Sequence, residues 1–153
     1  MGAGDEVVAA GMAALDDGRW ADARSSFERA VVHTESGAAR YGLGVASWWL
    51  GDDDESVAST TRAYTLFKAD GDVASAGQCA VWLGITYRAN YGNASAAQGW
   101  VARGERLLTG VERSALHGWL DVTKAYRMPD LARAEQLTQG ALDLARAAGD
   151  VDL

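Results

Sequence analysis

The chain has 153 residues, a formal net charge of −7 and a pI of about 4.7. That length suits one domain, residues 1–153, with a core large enough to fold without staples. The acidic field repels phosphate backbones and argues against direct nucleic-acid binding, the single cysteine (Cys79) excludes an intrachain disulfide, and two histidines are too few for an ordinary zinc site.

Eight helices are expected, and nothing alternates as a strand does. Helix 1A is expected over about Asp5–Asp17, 1B over Ala21–Thr34, 2A over Ser36–Leu50 and 2B over Asp54–Lys68. Helix 3A follows over about Val73–Ala89, then 3B over Ala94–Leu108, 4A over Glu112–Arg127 and 4B over Asp130–Ala148. Gly18, Gly51 and Gly92 stand where a helix must end in a left-handed residue. Asp70-Gly71-Asp72 ends 2B and caps 3A, Asn93 caps 3B, and Pro129-Asp130 divides 4A from 4B. The remaining acids, Asp52-Asp53-Asp54-Glu55 among them, read as solvated turns and helix starts, because the run lacks a calcium-loop spacing.

A phrase recurs along these elements. It reads Gly11, Gly18-Arg19-Trp20, Ala23, Phe27, Ala30, and then Leu43-Gly44, Gly51, Ser56, Thr60, Ala63. A third copy reads Leu83-Gly84, Tyr87, Gly92, Ala96, Trp100, and a weaker fourth Ala125, Pro129, Ala134, Thr138, Ala141. Gly18 to Gly51 is 33 residues and so is Ala30 to Ala63, while Gly44 to Gly84 is 40. Gly11, Gly44 and Gly84 each cost a helix about 1 kcal/mol against alanine, which is tolerable where two helices approach closely. Ala23, Ala30, Ala63, Ala96 and Ala141 serve the same end on each second helix, with Phe27 and Trp100 filling the wedges.

A helix-turn-helix period of ~34 residues with these small-residue positions resembles the tetratricopeptide repeat, over essentially the whole chain. Gly18-Arg19-Trp20-Ala21-Asp22-Ala23-Arg24, Gly42 through Asp52, Ala63-Tyr64 through Gly71-Asp72, His117-Gly118-Trp119-Leu120 and Ala141 through Arg146 resemble more narrowly the repeat region of bacterial LuxR-type transcriptional regulators. The resemblance implies an all-α, right-handed superhelical array of about four antiparallel helix pairs, at residues 5–34, 36–68, 73–108 and 112–148. It implies a groove lined by the first helix of each pair. In repeat 1 this points to Met12, and in repeat 2 to Tyr41, Val45, Trp48 and Trp49. In repeat 3 it points to Gln78, Ile85 and Arg88, and in repeat 4 to Trp119, Thr123, Tyr126 and Arg127. The spacings 41, 45, 48 and 78, 81, 85, 88 share one helical face on their own account.

That groove is aromatic, with Arg88 and Arg127 as its cations and no lysine, so a basic clamp for acidic peptide ends is not expected. The expected function is a non-catalytic interaction module holding a protein segment, in bacterial signalling or transcriptional regulation. The alternative is a sensor holding a small apolar or aromatic molecule in the same groove. No catalytic motif, metal set or cofactor site is visible. Trp20, Trp82 and Trp100 are expected in the core. Trp48 and Trp49, adjacent on one helix, diverge by ~100° and cannot both face one neighbour. Cys79 reads as a small buried hydrophobe. No apolar run approaches the ~20 residues of a membrane helix and no secretory signal is seen, so the expected location is cytoplasmic. Helix 4B, with Leu137, Leu142 and Leu144 and no obvious capping helix, admits a homodimer through the array end.

Overall fold

The computed structural model describes residues 3–126 and 128–150. Among them the chain forms eight helices and no strand. These are α1 (Ala3–Asp16), α2 (Trp20–His33), α3 (Gly37–Trp49), α4 (Asp53–Ala69), α5 (Val73–Ala89), α6 (Ala94–Leu108), α7 (Ala115–Ala125) and α8 (Leu131–Ala148). The expected bounds hold to within about two residues, except that α7 is shorter at both ends.

Local chemistry sets these limits. The Ser36, Asp52, Asp72, Asn93 and Asp130 side chains accept from backbone N–H groups three residues on, at 3.0–3.3 Å. Each satisfies one donor that an α-helix start leaves open. Gly18, Gly51 and Gly92 have φ of 70°, 78° and 61°, the left-handed turn expected of them. At α7 the start moves to Ala115 because Ser114 and His117 tie the turn: the Ser114 N–H donates to His117 Nδ1 at 3.2 Å. The same imidazole reaches the Leu108 carbonyl through Nε2 at 3.3 Å, which makes Nε2 the protonated nitrogen and joins the end of α6 to the start of α7.

The chain divides into two compact units, residues 1–79 and 80–153, with the division inside α5. In the first unit α1 packs on α2 and α3, α2 on α3, and α3 on α4. Its core is Ala14, Ala23, Phe27, Leu43 and Ala46, with Val8, Leu15 and Val31 against it. Phe27 is fully buried, as expected, because Gly11 and Gly42 leave room for its ring; a Cβ on Gly11 would stand 2.8 Å from it. Burial of such a ring contributes about 1.5–3 kcal/mol. Gly44 lies against Thr60 across the α3–α4 seam.

In the second unit α6 packs on α7 and α7 on α8. Val81, Leu108 and Leu120 form the core, backed by Ile85, Val101, Leu116 and Trp119. Gly84 admits Val101 of α6. The buried Asp121 is paired with Arg113 at 2.7 Å.

Two packing expectations are corrected. Ala97, not Ala96, is the buried alanine of α6, a rotation of one residue about the helix axis. None of the six tryptophans is fully buried. Trp20, Trp82 and Trp100, the three expected inside, are each only partly covered. Trp20 stacks on Trp49 instead, and Trp100 lies under the Arg103 guanidinium at 4.8 Å.

Candidate functional site

The site residues expected from sequence fall in both units. In the first, Tyr41, Val45 and Trp48 are partly buried, Gln78 is exposed, and Met12 and Trp49 are exposed at 40% and 51%. Trp49 stacks on Trp20 with ring centres 4.7 Å apart and planes 7° from parallel. Trp48 meets Trp49 edge-on at 5.0 Å and 89°, the divergence expected of adjacent helical positions. The Tyr41 phenol is pushed up from its ordinary value by burial, with Cys79 nearby, while a hydrogen bond with Gln78 works against the rise. Burial also pushes the Cys79 thiol up to about 12, so no thiolate forms near neutral pH.

The second unit holds a cleft of about 450 Å³ between α5, α6 and α7. Ile85, Arg88 and Ala89 of α5 form one wall, and Trp119, Val122, Thr123 and Tyr126 of α7 form another. Five of the expected residues are thereby brought together: Ile85, Arg88, Trp119, Thr123 and Tyr126. Each helix presents its share at i, i+3, i+4 or i+7 spacing, which is why a periodic reading found them. Arg127 lies outside the described residues.

Ala97 and Gln98 of α6 also line the cleft, and sequence reading missed them because it assigned second helices to the outer face. The signal that would have found them is the Ala96-Ala97 pair, read one residue later. Val122 was missed because it sits between two residues that were chosen.

The chemistry of the cleft is sparse. Its apolar lining comes from Ile85, Ala89, Ala97, Trp119 and Val122, and its polar side chains are Arg88, Gln98, Thr123 and Tyr126. The Arg88 guanidinium stands over the Tyr126 ring at 5.1 Å. Thr123 Oγ1 donates to the Trp119 carbonyl at 2.7 Å, so towards the cleft it offers only lone pairs. Trp119 Nε1 donates to Asp150 Oδ2 at 3.2 Å, which fixes the indole from behind. Among the described residues no group of three or more His, Cys, Asp or Glu is arranged to hold a metal, and no helix is long and apolar enough to cross a membrane.

No family model, curated protein or solved structure matches the chain.

Proposed function

We propose that the chain is a non-catalytic binding module whose recognition site is the α5–α6–α7 cleft, and that the cleft holds a small apolar molecule. One observation carries this reading: a concavity of about 450 Å³ with mainly apolar walls and few polar groups. Small-molecule sites span about 300–1,000 Å³ and have this character. No His, Cys, Asp or Glu is among the described residues that line the cleft, which favours binding over general acid–base work there. The repeated small-residue phrase supports a right-handed superhelical array of antiparallel pairs in the tetratricopeptide manner. The resemblance to LuxR-type regulators supports a place in bacterial signalling or transcriptional regulation.

The test is a thermal-melt screen of small apolar molecules, with the Trp119 indole N–H followed by NMR. A subset should raise the melting temperature and move that signal. Thr123→Trp, which fills the cleft, should abolish both effects. A library that leaves melt and signal unmoved overturns the reading.

A second reading, the docking of a protein segment, is favoured by the exposed Trp20–Trp49 stack in the first unit. Large exposed aromatics of this kind occur at interfaces. It predicts a partner whose capture is lost in Trp49→Ala and kept in Thr123→Trp.

A further inference from the structure

We infer that the occupant of the α5–α6–α7 cleft is a small apolar molecule carrying one carboxylate, and that the Arg88 guanidinium binds that carboxylate. The inference rests on the cleft being a binding site and names what it would select. Among the described residues that line the cleft, Arg88 alone is a cation and none is an acid. Arg24, Arg40, Arg62 and Arg113 are each committed to a carboxylate. Among the described residues no carboxylate lies within ion-pair distance of Arg88, which is partly withdrawn from solvent. A guanidinium in that setting is satisfied best by an anion that arrives with the ligand.

The geometry also selects the kind of anion. The Tyr126 ring stands 5.1 Å from the centre of the guanidinium, and the planar fork of an arginine matches a planar carboxylate. Thr123 cannot donate into the cleft, because its hydroxyl proton is held by the Trp119 carbonyl. The acidic end of a ligand is therefore directed to the α5 side and its apolar body to Ile85, Trp119 and Val122. A dianionic phosphate would find a single cation among the described lining residues, in a chain of net charge −7. A peptide would bring a row of backbone amides that need partners, and four polar side chains in the lining cannot supply them.

Naphthalene-1-acetate and its neutral amide, titrated calorimetrically into the full chain at pH 7, test this directly. The acid should bind at least about tenfold more tightly than the amide, and the advantage should narrow as salt is raised. Arg88→Gln should abolish the preference for the acid over the amide, while Arg88→Lys keeps part of it. Should Arg88→Gln melt early, the salt series on the native chain replaces it: an advantage of acid over amide that does not narrow as salt is raised overturns the carboxylate inference. Equal binding of acid and amide by the native chain overturns the carboxylate inference and leaves the cleft standing. Failure of both probes to bind or to move the Trp119 signal overturns the inference and the cleft together. A tripeptide with a free C-terminal leucine that binds as tightly as the naphthyl acid overturns the small-molecule source.

Discussion

Gly44→Ala and Gly140→Ala are the same chemical change in two helix interiors, and the structure assigns them opposite signs. Alanine is the better helix former by about 1 kcal/mol at either place. At Gly140 a Cβ meets nothing within 4 Å, so the gain should be kept: about 0.5–1 kcal/mol of added stability. At Gly44 the new methyl would run into Thr60 Oγ1 and stand 3.1 Å from both the Ser56 carbonyl oxygen and the Thr60 nitrogen. Thr60 is fully buried, and backbone atoms of α4 cannot swing aside, so α3 and α4 must separate. Overpacking of this kind costs about 1–3 kcal/mol, and two rigid contacts put it in the upper half of that range. Net of propensity, Gly44→Ala should destabilise by about 1–2 kcal/mol. Urea unfolding followed by circular dichroism at 222 nm reads both variants. Thr60→Ala added to Gly44→Ala removes the nearest contact, so the pair should be less damaging than the sum, with coupling of at least about 0.5 kcal/mol. A Gly44→Ala chain as stable as the native one, or more so, would refute the reasoning.

Two further outcomes follow from other groups. Thr86 is fully buried and its hydroxyl has no hydrogen-bond partner among the described residues, so Thr86→Val, which keeps the shape, should stabilise the chain by about 1 kcal/mol in the same assay. Arg62, and then Arg40, hold the Glu35 carboxyl at about 2 against its usual 4.5. A carboxylate so depressed favours the fold above pH 4.5, and its contribution is lost as pH falls toward 2. Arg62→Ala should raise the Glu35 midpoint, read by carbon NMR, part of the way to 4.5, since Arg40 still donates at 2.8 Å. An unchanged midpoint removes the assigned cause.

Much of the fold was legible because its punctuation is local. Gly18, Gly51 and Gly92 take the left-handed turn on their own account, and Asn93 and Asp130 cap whatever follows them. The start of α7 was not legible, because His117 binds both Ser114 and the carbonyl of Leu108 nine residues earlier, and that second bond depends on how α6 and α7 meet. Half of the cleft was legible for the same reason as the helices: Ile85 and Arg88 lie three apart, and Trp119, Thr123 and Tyr126 follow with spacings of four and three. Ala97 and Gln98 were hidden because periodicity describes one helix at a time and says nothing about the rotation of its neighbour. Trp20 and Trp100 were expected inside because an indole has much to gain from burial. Other surfaces supply part of that gain: Trp20 is covered by stacking on Trp49 and Trp100 by the Arg103 guanidinium, contacts between side chains that periodicity within one helix does not register.

Trp119 has two attachments, and together they make the cleft a lever. One side of the indole faces the space an occupant would fill, and its Nε1–H holds Asp150, just past the left-handed Gly149 that ends α8. A molecule that turns the ring to improve its own contact stretches that bond and loosens the last turn of α8. By reciprocity, anything that grips or pulls the residue at 150 reorients the wall of the cleft and alters its affinity. If the cleft takes an occupant as proposed, occupancy and end-fraying are expected to be coupled, and amide exchange over 145–149 should change when a molecule binds at the other face of the ring.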